Sequence, residues 1–361
     1  DEQNDRVRQK IIDALVPFTG ALYRYPGGLV ANEYLWESAV LPMQERKRIG
    51  IGLPASRKPP LFGLHEFFEF VHKVEGSPLY TLNLVGEGKP SNIKEYASKT
   101  MAQSNRVLAS RIRKLAPQEK TIYYQLGNEL DRSHYEWPHE KYISRSLDTI
   151  RAMQDTDPEA RYIAFLREFN WRYRDKNRGV SKSTEFIQDV LRGLPMVDDF
   201  SLHFYYDGET RPGGKFMHIQ DVVNRINRVL SVAAGVRGEK PLHVWVTEHS
   251  RRLTVNSENE QKAKSYTSNL QAALSTADFL TAMTQIPQVK ATALQALNGV
   301  GRQVFDASVQ HADLRPRPVY WAMRILNYGR RGAVLSTETQ SPHTSGYPGG
   351  YDVRAAALSN Q

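Results

Sequence analysis

Helical and strand periodicities alternate seven times along the 361 residues, which predicts an α/β fold of parallel strands joined by crossover helices. Two such folds compete, a doubly wound sheet and a (β/α)8 TIM barrel. No Gly-x-Gly-x-x-Gly follows the first strand, and Gly50-Ile51-Gly52 lacks both the rest of that pattern and a preceding strand, so a nucleotide-binding doubly wound sheet is disfavoured. Polar and charged residues recur at strand C-terminal ends, the face on which a barrel carries its site.

The elements follow in order. Val7, Ile11, Ile12 and Leu15 mark a first helix, which leads through Pro17 to the strand Ala21-Leu22-Tyr23-Arg24. An apolar helix over Leu64–Val71, rich in Phe67, Phe68 and Phe70, precedes the strand Leu79–Asn83. Helical spacing over Tyr96–Leu115 precedes the strand Thr121–Leu126, and Ile143–Met153 precedes Tyr162–Phe165. Phe186–Leu191 leads to Phe200–Phe204, and Val222–Val232 leads to Leu242–Val246. A long helix over Gln261–Thr284 leads to a strand over Val289–Leu297, and Tyr320–Leu326 is helical after Pro318. Beyond Arg330 the composition turns to Gly, Ser, Thr and Pro, with strand-like pieces at Ala333–Leu335 and Asp352–Ala357. The expected division is a barrel over residues 1–328 and a partial β-sandwich domain or linker over 329–361.

Composition narrows the function classes. The sequence is 40% hydrophobic and 24% charged, which excludes a disordered or fibrous chain. With no cysteine there is no disulfide, thiolate nucleophile or Cys-ligated metal, and the compartment stays open. There is no run of 18 apolar residues, so no membrane span is expected, and the first residues lack the pattern of a signal peptide. Lys+Arg outnumber Asp+Glu by 48 to 39, a field that favours anionic partners. The basic residues are dispersed, as on Arg106, Arg111, Arg113 and Lys114 of one helix and Arg172, Arg174, Lys176 and Arg178 of one loop, and read as solvated faces.

The strand ends carry the chemistry. Arg24 with Pro26-Gly27-Gly28, Asn83, Asn128-Glu129, His203 with Tyr205, Glu248-His249 and Asn298 all fall there. Glu129 and Glu248 each close a buried run where nothing structural requires a charge. Two carboxyl groups facing each other, one protonated and one ionised, are what glycoside hydrolysis needs. A structural role, as a helix cap or an Arg partner, is the competing reading for either one alone. His134 and His139 with Glu136 and Glu140 match no zinc spacing. Glu168, Trp171 and Tyr173 after strand Tyr162–Phe165, and Trp36 with Glu37, are candidates for sugar contact or for plain surface. His249 and Ser250 find no third group for a Ser-His-Asp arrangement.

Leu126-Gly127-Asn128-Glu129 and Val246-Thr247-Glu248 resemble the acid/base and nucleophile segments of the clan of (β/α)8 retaining glycoside hydrolases that carry these residues on strands four and seven. Tyr23-Arg24-Tyr25-Pro26-Gly27-Gly28, Leu202-His203-Phe204-Tyr205-Tyr206 and Leu294–Asn298 resemble segments of the α-L-arabinofuranosidase-like family within it. The resemblance implies Glu129 as general acid/base, Glu248 as nucleophile, Asn128 on the hydroxyl next to the anomeric carbon, Arg24 holding the nucleophile ionised, and Tyr205 bonded to Glu248. Asn83, His203 and Asn298 complete the expected substrate-binding set. No cofactor is expected, and the partner is an oligo- or polysaccharide.

Two departures from that pattern follow. Only two strands precede Thr121 where the clan has three, so barrel strand one is expected to be absent, and the β-domain breaks off, which raises association with a missing β-domain or a second chain. The positive charge keeps an acidic, uronic-acid-containing or sulfated polysaccharide open as substrate. A non-catalytic carbohydrate-binding homologue is the other alternative. Nucleic-acid binding, which would survive loss of both glutamates and fall steeply with salt, is not expected.

Overall fold

The computed structural model describes residues 9–46, 62–89, 92–132, 135–167, 176–206, 217–252, 267–299, 302–306, 314–329, 332–338, 340 and 354–359. Seven strands form one sheet: β1 (Leu22–Tyr25), β2 (Ser77–Leu82), β3 (Tyr123–Leu126), β4 (Arg161–Phe165), β5 (Asp199–Tyr206), β6 (His243–Arg251) and β7 (Val289–Leu294). Their order in the sheet is their order in the chain. A doubly wound sheet reverses its strand order at a switch point, whereas a (β/α)8 barrel does not, so the topology is that of the barrel. Among the described residues no strand precedes β1 in this sheet.

A helix separates each strand from the next: α2 (Leu64–Lys73), α3 (Ser98–Leu115), α4 (His139–Gln154), α5 (Lys176–Gly193), α6 (Ile219–Arg237) and α7 (Leu270–Thr284). Before β1 comes α1 (Gln9–Leu15), and after β7 comes α8 (Pro318–Gly329), with Pro318 at its first position, where a missing N–H is harmless. No described helix is long and apolar enough to cross a membrane. The chain divides into two compact units, Asp1–Ser201 with Val232–Leu242, and Leu202–Ser231 with His243–Gln361.

In the first unit, parallel register gives the sheet two chemically distinct faces. Arg24 is paired with Leu79, and Thr81 with Gln125, so these four share one face, while Tyr25, Tyr80 and Tyr124 share the other. The tyrosine face meets the helices: Tyr25 stacks on Phe67 and Tyr23 packs edge-on against Phe70 of α2. Helix α3 buries Met101, Ala102, Asn105, Leu108, Ala109 and Ile112, a stripe at 3.6-residue spacing, and α4 buries Tyr142, Ser146, Thr149, Ile150 and Met153 in the same way. The Tyr142 hydroxyl donates to Leu126 O at 3.1 Å and accepts from Phe165 N at 3.0 Å, tying the ends of β3 and β4 together from the helix layer.

The basic helix face is only partly solvated. Arg113 pairs with the buried Asp157 at 2.5 Å, and Tyr124 donates to the other oxygen of Asp157 at 3.0 Å. Arg111 lies over the ring of Trp36. In the second unit, α7 begins at Leu270 rather than Gln261: the Asn269 side chain accepts from Ala272 N at 2.9 Å, a cap that sets the first turn. Residues 261–266 lie outside the described set. The strand-like tail pieces pair as Val334–Leu335 with Ala357–Leu358, antiparallel, and Arg354 reaches Asp278 of α7 at 2.7 Å.

Removing one partner of a buried ion pair leaves the other charge uncompensated. Arg113→Ala is therefore expected to destabilise the fold by about 2–3 kcal/mol, the low end for a buried pair because the arginine is partly exposed. Denaturant unfolding followed by far-UV circular dichroism measures this, and a change indistinguishable from zero would show that Asp157 is served without Arg113.

Candidate active site

In the first unit, β3 ends in a turn that the sequence cannot make without glycine. Gly127 has φ +74°, and a Cβ there would come within 2.6 Å of Leu130 Cδ1. The next residues are clamped. Asn128 N donates to Asn32 Oδ1 at 2.9 Å, and Asn32 Nδ2 donates back to Asn128 O at 2.5 Å. Arg24 Nη2 donates to Asn128 Oδ1 at 2.6 Å, while Arg24 Nε donates to Gln125 Oε1 at 2.8 Å. The Asn128 oxygen is thereby occupied, and its Nδ2 donors turn the other way. Glu129 follows with φ +48°, and its carboxylate pairs with Arg132 at 2.7 Å.

Arg24 thus bridges Gln125 and Asn128. Neither Asn32 nor Gln125 was picked out by sequence reasoning; both are buried amides, and Gln125 is an isolated polar residue within an apolar strand, which was the available signal. Nearby, Glu33 accepts from Tyr135 at 2.8 Å, and burial with the Glu33 charge pushes the Tyr135 phenol far up.

The Asn83 amide shapes the loop after β2. Its Nδ2 donates to Tyr34 O at 3.1 Å and Gly86 O at 2.7 Å, and its Oδ1 accepts from Val85 N at 2.8 Å and Gly86 N at 3.0 Å. Every donor and acceptor of that amide is used to shape the loop after β2, leaving nothing for a substrate. Trp36 is buried and donates to Ser104 Oγ at 2.9 Å, which in turn donates to Glu37 at 2.6 Å. His139 lies between Glu140 and Asp189 at 2.8 and 3.2 Å. His134, Glu168, Trp171, Tyr173 and the Asn298 side chain lie outside the described residues.

In the second unit, Glu248 is 3% exposed. The Tyr205 hydroxyl donates to its Oε2 at 2.6 Å, and His203 Nδ1 stands 3.6 Å from the same oxygen. The other ring nitrogen of His203 meets Thr247 Oγ1 at 2.9 Å. The Gln295 side chain, just past β7, also meets the Tyr205 hydroxyl. A phenol donating to a carboxylate favours its charged form, as a nucleophile needs.

The approach of both Thr247 and Glu248 to one histidine ring breaks strand alternation. Between the pairs Val246–Thr292 and His249–Leu294, β6 advances three residues and β7 two. The surplus residue is a β-bulge, and it turns Glu248 away from the side taken by Val244 and Val246. His249 then falls on the helix side, fully buried, its ring between Tyr206 and Phe279 with centroids 6.1 and 4.3 Å away. Burial lowers its pKa from about 6.5 to about 3, so the imidazole is neutral.

No family model matches the chain. Its sequence is similar to the intracellular exo-α-(1→5)-L-arabinofuranosidase of Streptomyces lividans, 26% identical over 209 residues, which are 56% of this chain and 30% of that enzyme. A second enzyme of that name, from Acetivibrio thermocellus, is 24% identical over 383 residues, covering 99% of this chain and 74% of the relative. The chain therefore matches under a third of the first relative's length. Among solved structures, the family 51 α-L-arabinofuranosidase of Bifidobacterium longum superposes with TM-score 0.72 at 15% identity, over 98% of this chain and 73% of that one. The Thermotoga maritima α-L-arabinofuranosidase in its arabinose complex gives TM-score 0.71 at 17% identity, over 93% and 67%. These likenesses establish the fold, that of arabinofuranosidase-like barrels.

A neutral buried histidine makes the fold acid-sensitive. The unfolded chain binds a proton at this side chain below about pH 6.5 and the folded chain only below about 3, so this contribution is complete above pH 6.5 and is lost as pH falls toward 3. His249→Phe, which keeps an aromatic ring in the slot, is expected to flatten the stability-against-pH curve in that window by up to about 1.4 kcal/mol per pH unit. Urea unfolding at intervals from pH 4 to pH 7 measures it; parallel curves for the two proteins would mean that another group sets the acid limb.

Proposed function

We propose that the chain is a retaining glycoside hydrolase acting on α-L-arabinofuranosides by double displacement. The observation that carries this reading is the buried Glu248 carboxylate, turned by a bulge within β6 and held at 2.6 Å by Tyr205. The sequence resemblance at Glu129 and Glu248 and the similarity to arabinofuranosidases of known structure support it.

In the proposed reaction Glu248 attacks the anomeric carbon while Glu129 gives its proton to the departing glycosidic oxygen. A glycosyl ester forms on Glu248 and the aglycone leaves as an alcohol. Glu129, now a carboxylate, takes a proton from water, whose oxygen attacks the anomeric carbon and frees Glu248. Asn128, its oxygen committed to Arg24, offers Nδ2 to the sugar hydroxyl beside the anomeric carbon. Arg132 stands 2.7 Å from Glu129, beside the charge that the carboxylate carries when it activates water.

A 2-deoxy-2-fluoro-α-L-arabinofuranoside with a good leaving group should add one fluoroglycosyl mass to the protein, and the modified peptide should carry it on Glu248. Glu248→Gln should take no label. Glu129→Ala should lower turnover of natural linkages by about 10²–10⁴-fold and be rescued by azide on activated substrates. A folded protein that takes no label from this probe and does not hydrolyse aryl α-L-arabinofuranosides would overturn the assignment.

A further inference from the structure

The bulge that turns Glu248 needs an anchor, because a strand carrying one extra residue can place it at more than one position. Consecutive residues of β5 point to opposite faces, so Tyr205 and Tyr206 look away from each other. Tyr205 donates to Glu248 at 2.6 Å, and the Tyr206 hydroxyl meets His249 Nδ1 at 3.1 Å. Two successive side chains of one strand thus grip two successive side chains of its neighbour, one on each face.

We propose that Tyr206 and His249 form a positioning pair that locks the β6 bulge in the phase that presents Glu248 to Tyr205. This rests on the reading of Glu248 as the nucleophile. Neither residue touches the reacting atoms in that scheme; both act through the backbone that carries Glu248.

Three observations converge on the pair. The His249 ring is clamped in a stack, with Tyr206 and Phe279 themselves 4.7 Å apart by ring centroid, so it cannot swing without opening the helix contact. Backbone bonds close around the same two residues: Arg252 N donates to Tyr206 O at 2.7 Å, and Gln295 N donates to His249 O at 2.9 Å. The second of these joins the bulge to Gln295, whose side chain meets Tyr205. Finally, His249 Nε2 is fully buried with no hydrogen-bond partner among the described residues. A slot that only required apolar filling would be better served by Phe or Leu, which bring no unmet polar atom. Retaining an imidazole there is accounted for by what its Nδ1 does with Tyr206.

Tyr206→Phe keeps the stack and removes only the hydroxyl, and His249→Phe keeps the stack and removes both nitrogens. Each should slow labelling of Glu248 by the fluoro-arabinofuranoside, and lower kcat, by about 10- to 100-fold with KM within about twofold, since a displacement of about 1 Å at a nucleophile has effects of that size. His249→Asn, which returns an acceptor near the Nδ1 position, should recover part of the loss despite its poorer stacking. A packing role alone predicts the reverse order, with His249→Asn the most damaged and both Phe variants unaffected once folded; labelling rates of the Phe variants within about twofold of the parent would overturn the proposal. Should the parent protein itself take no label and show no turnover, the nucleophile reading fails separately, and crystal structures of the two Phe variants decide the pair. Glu248 displaced from Tyr205 supports the lock, and Glu248 still within about 3 Å of Tyr205 in both overturns it.

Discussion

One surplus residue in β6 governs the chemistry of the second unit. Without it, strict alternation would put Glu248 on the side of Val244 and Val246, in the apolar layer under the helices, where an unpaired carboxylate is severely penalised. With it, Thr247 and Glu248 both address His203, and the side chain handed to the helix layer is His249, which tolerates burial by staying neutral. The bulge therefore exchanges a group that must be charged for one that need not be. Everything else in that unit's site, from the tyrosine pair on β5 to the backbone bond between His249 and Gln295, is arranged around the exchange.

The first unit solves a different problem. Its amides Asn32, Gln125 and Asn128 are almost completely buried, and they are satisfied by bonds to one another's chain and to Arg24. Asn32 and Asn128 exchange two hydrogen bonds, and Arg24 spans Gln125 and Asn128. Fully paired networks of this kind define one geometry, because any shift leaves a buried donor or acceptor unmet. The same logic holds Asn83, whose carbonyl oxygen also accepts from Asn105, an amide set in the apolar stripe of α3. An asparagine at a strand end thus has two uses. Among the described residues Asn128 Nδ2 has no acceptor, whereas both polar atoms of the Asn83 amide are bonded.

That contrast marks the limit of what was legible in the sequence. Strand and helix alternation is written in residue periodicity, so the barrel topology and the seven strands could be read from it, as could the position of Glu129 past the end of β3; β6 runs on to Arg251, so Glu248 lies within its strand rather than at the end. Orientation at those ends is written in backbone dihedrals and register, which periodicity does not carry. The run Val244-Trp245-Val246-Thr247-Glu248 reads as regular alternation, and its bulge shows only in pairing with β7. Asn83 and Asn128 look equivalent as sequence and differ only in how many bonds their surroundings consume. Trp36 reads equally as a sugar contact or as plain surface, and only the structure shows its indole N–H on Ser104. The start of α7 is legible at Asn269, a residue type that caps helices and that follows Thr267 and Ser268.

The two glutamates differ in a way that their proposed roles require. Glu129 lies on a left-handed turn that a non-glycine residue adopts only under constraint, and the constraint is visible: Leu130 packs over Gly127, and Asn32 holds the peptide between them and the glutamate. Its side chain is 18% exposed and faces a cation, whereas that of Glu248 is 4% exposed and faces a phenol and an imidazole. A residue that gives a proton to a leaving group and later takes one from water must be reachable by water. A residue that carries a glycosyl ester must not be, until the acid/base delivers that water to it. Exposure for the first and burial for the second is the division of labour that the proposed double displacement demands, and the positive φ of one glutamate and the bulge behind the other are the backbone features that set it.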